Sequence, residues 1–275
     1  MFTDPALAAR IDRAEGRFCA GLAEASAADA TRRAAVVEIA GGVAIFAGPG
    51  SPTNKLIGLG FDGLPDAGAL DEVERLFADR GAPLQAEVAT LADPALHAML
   101  VARGYEPRGF ENVLGRPLAM PPEVPLPPGL AIARVGDEDR SRWVEVVVGG
   151  FATPDAGGVG GDEAPPSDEL AAWMALTLQV PGFECVLARA DGEAAGGAAF
   201  RLDDGLVQFC GAATLPRFRR RGIQTTLVRW RLAHAAAQGA TAAVVVTQPA
   251  SKSQQNAQRE GFSLLYARQL LVKQP

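Results

Sequence analysis

Cysteine and histidine are scarce in this sequence of 275 residues, which contains three cysteines and two histidines. Cys19, Cys185 and Cys210 are odd in number and far apart, which argues against a disulfide framework. They fit a reducing compartment, so we expect the chain to be cytoplasmic. With only His97 and His234, and with no C-x-x-C pair, the ligands of a structural zinc site are missing. We therefore predict no metal site.

The sequence also lacks an excess of basic residues and any long apolar run. It has 26 Lys and Arg against 32 Asp and Glu, a formal net charge of -6, which argues against the broad basic face of a nucleic-acid-binding protein. An apolar run long enough for a membrane span is missing, and the acidic start has no apolar signal-peptide region. We expect neither nucleic acid nor a membrane as a partner, and a monomer or homodimer.

Proline marks the clearest break in the chain, at PLAMPPEVPLPPG, residues 117–129. Proline blocks helices and central strands and favours an extended path. Because 275 residues are typical of two domains, we predict a first domain over 1–116, a linker over 117–129 and a second domain over 130–275.

The second domain is predicted to mix strands and helices. Asp191-Gly192 and Asp204-Gly205 are hairpin turn signals, and apolar residues recur at helical spacing up to Gly239. We predict strands at 130–135, within 183–216, at 241–247 and at 264–272, helices at 137–151, 170–180, 223–238 and 251–260, and a loop at 153–169.

A faint repeat of this order is present in the first domain. The strand 84–90 and the helix 91–105 align with the strand 241–247 and the segment that follows it, with four identities, and a helix at 70–83 takes the place of helix 223–238. The shared order predicts a duplicated fold of the α+β (mixed α/β) class.

The segment RFRRRGIQTTL, residues 217–227, gathers positive charge immediately before a predicted helix. A helix begins with backbone N–H groups that have no internal partner and with a partial positive charge, and anions bind there. Gly222 allows a ligand to approach the backbone closely, and Arg219, Arg220 and Arg221 add oxygen-binding donors. The segment predicts a pyrophosphate site; the alternative is a solvated basic turn.

The run Arg219-Arg220-Arg221-Gly222-Ile223-Gln224, which follows a strand ending in Thr-Leu-Pro, resembles the acyl-CoA loop R/Q-x-x-G-x-G/A of the GNAT superfamily of N-acetyltransferases. Gln224 departs from the last position of that pattern. The order of elements over 130–272 and the sequence EGF at 260–262 resemble that family too. The resemblance implies two GNAT-like domains, each a mixed, mostly antiparallel sheet flanked by helices, with the loop retained in the second and lost in the first.

The resemblance also implies an enzyme that moves the acetyl group of its cosubstrate acetyl-CoA to a primary amine by direct attack. The backbone of residues 219–225 would bind the pyrophosphate, and the end of the preceding strand would pair with the pantetheine arm. An N–H near Cys210 or Gly211 would polarise the thioester carbonyl. The implied cofactor-binding residues are Ala212, Ala213, Thr214, Arg219, Arg220, Arg221, Gly222, Ile223, Gln224, Thr225 and Asn256.

The usual catalytic acid of the family is the tyrosine of the pattern N-x-x-A-x-x-x-Y-x-x-x-G-F. This sequence departs from the pattern, because it has Ala257 at that position. Tyr266 on the last strand is our candidate acid; the alternative is a packing aromatic. The sequence gives no base, since the neighbouring strand offers Gln208 and Cys210 but no carboxylate. The loop acids Glu163, Asp168 and Glu169 would attract a cationic amine or simply be solvated. The acceptor, a small-molecule or peptide amine, is not identified.

Two other functions stay open at this point. The missing tyrosine permits an acyl-CoA-binding protein without catalysis. A G-x-G-x-x-G motif at Gly58, Gly60 and Gly63, followed by Glu87, permits a dinucleotide-binding oxidoreductase. Because Asp62 stands there where the second domain has Arg219, we interpret this segment as an uncharged relic of the anion loop.

Overall fold

The computed structural model describes residues 1–118, 124–153 and 167–275. It contains two compact units. The first unit comprises Phe2–Val113 and Leu264–Pro275, and the second unit comprises Leu114–Ser263. Among the described helices, none has the length and apolar character that crossing a bilayer requires.

The described residues form helices and strands throughout both units. The helices are α1 (Pro5–Ser26), α2 (Ala67–Ala78), α3 (Pro94–Ala102), α4 (Arg140–Phe151), α5 (Ser167–Thr177), α6 (Ile223–Ala237) and α7 (Lys252–Arg259). The strands are β1 (Ala35–Ile39), β2 (Gly42–Phe46), β3 (Lys55–Ile57), β4 (Leu84–Ala89), β5 (Glu106–Pro117), β6 (Leu130–Arg134), β7 (Phe183–Ala190), β8 (Glu193–Asp203), β9 (Leu206–Thr214), β10 (Ala242–Thr247) and β11 (Ser263–Lys273).

The helices of the first unit begin at aspartates. Asp4, Asp66 and Asp93 precede α1, α2 and α3, and each carboxylate accepts a hydrogen bond from a backbone N–H of the first turn. Such caps satisfy N–H groups that otherwise lack a partner and stabilise a helix by about 1 kcal/mol. The first turn of each of these helices is therefore closed by the protein's own side chain.

The sheet of the first unit has the strand order β1-β2-β3-β4-β11. β3 and β4 run parallel, and the other neighbours run antiparallel. Phe46 and Phe77 meet edge to face in its core, with ring centroids 5.6 Å apart, and Leu70, Leu96 and Tyr105 are buried in the same cluster. This core holds α2 and α3 against the sheet.

The sheet of the second unit has the order β10-β9-β8-β7-β6, with β9 and β10 parallel and the others antiparallel. The tight turns β7–β8 and β8–β9 confirm the predicted hairpins, since Asp191 and Asp204 adopt left-handed φ angles of 52° and 48° and each is followed by a glycine. One apolar cluster packs α6 on the sheet, and another packs α4 and α5.

The predicted fold class is confirmed: each unit has a mixed, mostly antiparallel sheet flanked by helices. The order β3, α2, β4, α3 in the first unit repeats the order β9, α6, β10, α7 in the second, and both strand pairs are parallel. Residues 264–275, which the sequence analysis assigned to the second domain, belong instead to the first unit, where β11 pairs with β4. The domain boundaries at 116 and 130 stay a prediction.

A buried cluster of charged side chains lies inside the first unit. Arg268 is fully buried, and its guanidinium lies 2.7 Å from Asp12 Oδ1 and 2.6 Å from Glu15 Oε2. The Lys55 ammonium lies 2.5 Å from Glu87 Oε1. We call the following residues the charge cluster: Asp12, Glu15, Lys55, Glu87, Glu111 and Arg268.

The charge cluster contains four carboxyl groups for two cations. Arg268 and Lys55 overcome the effect of burial and lower the pKa of Glu15 to about 2. Glu111 lies at the edge, 4.0 Å from Arg268, and its Oε2 has no hydrogen-bond partner among the described residues. Burial, together with the nearby Glu87, raises the pKa of Glu111 to about 7. Glu111 therefore takes up a proton more readily in the folded unit than in the unfolded chain.

Replacing Glu111 by Gln should change how stability depends on pH. A raised carboxyl pKa favours folding below the unfolded value of 4.5, and this contribution is lost as the pH rises to about 7. Wild type should therefore lose up to about 3 kcal/mol of its free energy of unfolding between pH 5 and pH 8, and Glu111→Gln should not show this loss. Urea unfolding at both pH values measures it. Glu72→Gln, at an exposed position, is the control. If the free energies of unfolding of Glu111→Gln and wild type differ by the same amount at pH 5 and at pH 8, the raised pKa of Glu111 is contradicted.

Candidate active site

Strands β9 and β10 run side by side over only part of their length. Their Cα partners extend from Leu206 and Ala242 to Phe209 and Val245, whereas β9 continues to Thr214 and β10 to Thr247. Beyond Phe209 the two strands part. A strand edge without a neighbouring strand can pair with an extended ligand.

A β-bulge lies at the same place in β9. Gly197 pairs with Ala213, but Ala199 pairs with Cys210, so β9 has one extra residue relative to β8. Gly211, within the bulge, has a φ of 50°, a left-handed conformation that glycine adopts without strain. Because a bulge bends its strand and increases the twist, it explains why β9 departs from β10 here.

Helix α6 begins close to the end of β9 and has an open first turn. Gly222 is the N-cap with a φ of 76°, and no side chain caps the helix. A Cβ atom at Gly222 would meet nothing within 4 Å. The residue two before it, Arg220, is also left-handed, with a φ of 62°. The first-turn N–H groups are therefore accessible to an anion, which the helix dipole attracts.

The Arg219 side chain binds the protein's own backbone, while the predicted role of its backbone N–H stays a prediction. Its guanidinium donates to the carbonyl oxygens of Thr214, at 3.3 Å, and of Gly150, at 3.1 Å, and to that of Thr153. It thereby ties the loop to the end of β9 and to the end of α4. The side chain positions the loop, and its guanidinium is not free to bind a ligand.

Two other arginines of the loop are paired with acids of the β7–β8 turn. Arg217 lies 3.3 Å from Glu193, and Arg221 lies 2.8 Å from Asp191. Such exposed pairs contribute little to stability, but they reduce the positive charge available to a ligand. Arg220 is exposed and has no charged partner among the described residues, so it is the arginine that an anion at the start of α6 would meet.

Thr247, at the end of β10, is a candidate site residue that the sequence analysis missed. It is 5% exposed, yet its hydroxyl has no hydrogen-bond partner among the described residues. An unpartnered buried hydroxyl costs free energy unless a ligand or water satisfies it. The hydroxyl lies at the end of β10, beyond Val245, the last residue of β10 that has a partner in β9. The sequence signal is weak, since Thr247 ends an apolar strand.

The helix start of the first unit provides a contrast. α2 follows the G-x-G-x-x-G segment, but Asp66 caps it by accepting from the Ala69 N–H at 2.8 Å. Asp62, in the same segment, is paired with Arg13 at 2.6 Å. Glu87, the candidate ribose-binding acid, is buried in the charge cluster. The anion position at α2 is thus occupied by a carboxylate, and the dinucleotide hypothesis gains no support.

A family model described as the acetyltransferase (GNAT) family matches residues 154–262. This part of the chain is similar to the GNAT acetyltransferase family. It contains the parted strands, the bulge and the open start of α6. No curated protein sequence matches the chain.

Solved structures share the fold over most of the chain. A GCN5-related N-acetyltransferase from Kribbella flavida is 21% identical, with 97% of this chain and 95% of that one covered and a TM-score of 0.60. A GCN5-related N-acetyltransferase from Sphaerobacter thermophilus is 17% identical, with 75% and 66% covered and a TM-score of 0.55. A tandem GNAT protein from the clavulanic acid biosynthesis pathway is 13% identical, with 84% and 73% covered and a TM-score of 0.55. At these identities, the likeness shows a shared tandem GNAT fold.

The predicted cofactor-binding residues lie at the end of β9, around the start of α6 and on α7. Ala212, Ala213 and Thr214 form the end of β9 beyond the point of parting, and Gln224 in the first turn of α6 donates to the Thr214 hydroxyl at 3.0 Å. Asn256 lies on α7, where its side-chain oxygen accepts from the Arg259 guanidinium at 3.2 Å. The structure brings β9 and the start of α6 together, while ligand binding by these residues stays a prediction.

Tyr266 belongs to the first unit and lies outside the GNAT family match. It is buried, and its hydroxyl donates to Asp12 Oδ1 at 2.5 Å. Burial, and to a smaller extent the nearby Asp12, raises the pKa of Tyr266. The tyrosine hydroxyl is therefore a weaker acid. Its catalytic role stays a prediction, and the hydrogen bond favours the alternative of a structural aromatic.

The acids proposed to attract an amine are only partly described. Glu163 lies outside the described residues. Asp168 and Glu169 lie in the first turn of α5, which begins within the predicted loop 153–169. Acidic residues stabilise a helix start, so a structural reason is sufficient for both.

Replacing Gly222 by Glu should abolish CoA binding. The new side chain would place a negative charge over the open first turn and would strain the left-handed backbone. Gly239→Glu is the matched control, because Gly239 has a φ of 85° and open space around it but lies at the other end of α6. Isothermal titration with CoA should show no binding for Gly222→Glu and wild-type affinity for Gly239→Glu. Unchanged affinity of Gly222→Glu would disprove the site.

Replacing Thr247 by Val should weaken acetyl-CoA binding about fivefold without lowering the stability of the free protein, because it removes only an unpartnered hydroxyl. The control is Thr177→Val, since the buried Thr177 hydroxyl already donates to the Met174 carbonyl at 2.6 Å. The control should lose stability and keep its affinity. Titration and thermal unfolding measure both quantities, and equal affinity of Thr247→Val and wild type would contradict a ligand contact.

Proposed function

We propose that the chain is an N-acetyltransferase that moves the acetyl group of acetyl-CoA to a primary amine. The observation that carries the proposal is the combination, within the part of the chain that matches the GNAT family, of an uncapped helix start at Gly222 with the parting of β9 and β10 after Phe209. The first feature suits a diphosphate, and the second suits an extended arm with amide groups.

The residues present fit acetyl-CoA. In the proposed complex, the diphosphate accepts hydrogen bonds from the first-turn amides of α6, with Arg220 beside it. The pantetheine arm lies along Ala212, Ala213 and Thr214, pairs with their backbone, and meets the Thr247 hydroxyl. The bound thioester supplies the activated acetyl group. Its carbonyl oxygen lies near the bulge, where an N–H of Cys210 or Gly211 polarises it.

The proposed reaction is a direct attack. The lone pair of a neutral primary amine forms a C–N bond to the thioester carbon, and the C–S bond breaks after a tetrahedral intermediate. The CoA thiolate takes up one proton and the acetylated nitrogen loses one, so a base and an acid are required. Water in the gap between the strands is the proposed carrier of both protons, since β9 offers Gln208 and Cys210 but no carboxylate.

A non-catalytic acyl-CoA-binding protein is the second candidate. One observation favours it: Ala257 is buried on α7 at the position where the family pattern has its tyrosine. Under this alternative, the same site binds CoA thioesters and releases no thiol in the presence of amines.

One pair of measurements separates these functions. Titration with acetyl-CoA, CoA and NAD should give binding of the first two only. Release of CoA thiol should then be measured with a panel of amines: an amino acid, a polyamine, an aminoglycoside, a peptide with a free N-terminus and a lysine peptide. Thiol release with at least one amine supports the enzyme. Acetyl-CoA binding without release from any of them supports the binding protein, and binding of NAD alone would disprove both.

A further inference from the structure

Arg231 on α6 is a buried cation without an acidic partner. Its side chain is 2% exposed, and no carboxylate among the described residues forms an ion pair with it. Instead, Nη1 donates to the Ala199 carbonyl at 2.9 Å, and Nε donates to the Leu227 carbonyl of its own helix at 3.1 Å. The guanidinium also lies over the Phe209 ring, 4.1 Å from its centroid.

These contacts place Arg231 at the point where the strands part. Phe209 is the last residue of β9 with a partner in β10. Ala199 is the partner of Cys210, at the edge of the bulge. The guanidinium therefore contacts one residue of each strand, Ala199 of β8 and Phe209 of β9, in the regular register immediately next to the bulge.

The stability of the fold gives no sufficient reason for this cation. Burial lowers the pKa of Arg231 to about 10, so the group is still charged at neutral pH. Moving a guanidinium out of water is costly, and apolar residues of similar volume in place of buried charges are often neutral or stabilising. We therefore look for the role of this cation in its charge and in its hydrogen bond to Ala199, both of which lie next to the bulge.

We propose that Arg231 is a positioning residue for acyl transfer, which fixes the bulge of β9 and favours negative charge on the thioester oxygen beside it. It acts through Ala199 and Phe209, which orient the N–H groups near Cys210 and Gly211. A fixed charge in surroundings of low polarity acts more strongly than in water. This inference rests on the proposed function, because it assumes that the thioester lies at the bulge.

The test uses Arg231→Met, which keeps most of the volume, and Arg231→Lys, which keeps the charge. Arg229→Met is the control on the same helix, since Arg229 binds Glu260 at 2.8 Å away from the bulge. The first readout needs no amine: the ¹³C resonance of the carbonyl in bound [1-¹³C]acetyl-CoA. The second is kcat and KM with the amine that releases most thiol, and thermal unfolding accompanies both.

Wild type should shift the carbonyl resonance downfield of free acetyl-CoA. Arg231→Met should return it toward the free value and lower kcat at least about tenfold, with KM for acetyl-CoA nearly unchanged and with wild-type stability or better. Arg231→Lys should restore part of both effects, and Arg229→Met should behave as wild type. Should Arg231→Met not fold, Arg231→Gln replaces it.

The outcomes separate the two proposals. A wild-type resonance in Arg231→Met, or a kcat within about twofold of wild type, overturns the role of Arg231 and leaves the proposed function standing. Absence of acetyl-CoA binding by wild type overturns both. Binding with a shifted carbonyl but no thiol release overturns the enzyme alone, and the comparison of resonances then still decides the role of Arg231.

Discussion

The proposed site of the second unit depends on the first-turn N–H groups of α6, which no side chain caps. At α6 the capping position is Gly222, which has no side chain, and the first-turn amides face open space. Every other feature of the site supports this opening: Arg219 fastens the loop to β9 and α4, the bulge turns β9 away from β10, and Gln224 binds Thr214. A capping aspartate would close the site with its own negative charge.

The first unit shows what happens when that position is filled. It has the same order of strands and helices, but Asp66 satisfies the start of α2 and Asp62 is paired with Arg13. Its polar interior has a different form as well, since Arg268 and Lys55 are surrounded by carboxyl groups. In the second unit, the buried Arg231 contacts two carbonyl oxygens and the Phe209 ring. The two units of similar fold thus differ in how they bury charge: the first surrounds its buried cations with carboxyl groups, and the second surrounds Arg231 with carbonyl oxygens and an aromatic ring.

Features that depend on neighbouring residues alone, such as tight turns and helix ends, could be predicted from the sequence. The turns at Asp191 and Asp204 need left-handed backbone, and the apolar spacing up to Gly239 is that of a helix, so both were confirmed. The open start of α6 followed from Gly222 in the same way. The long helix α1, from Pro5 to Ser26, was not predicted, although it supplies Asp12 and Glu15 to the charge cluster.

Features that depend on distant partners could not be read from the sequence. Nothing in the spacing of the loop arginines shows that acids of another turn neutralise Arg217 and Arg221. The bulge depends on the register with β8, and the unpartnered hydroxyl of Thr247 depends on where β10 ends. Likewise, strand β11 follows the second unit in sequence but pairs with β4. Such a pairing depends on contacts between residues far apart in the sequence.

The pairing of β11 with β4 has a consequence for folding during synthesis on the ribosome. A chain made from its N-terminus onward has all of Phe2–Val113 available early, yet the first unit still lacks the strand that carries Arg268. Without residues 264–275, the buried carboxyl groups Asp12, Glu15 and Glu87 would lack the Arg268 guanidinium that pairs with them in the complete fold. Synthesis of the second unit therefore has to finish before the first can close, and the two cannot be separated by a single cut between them.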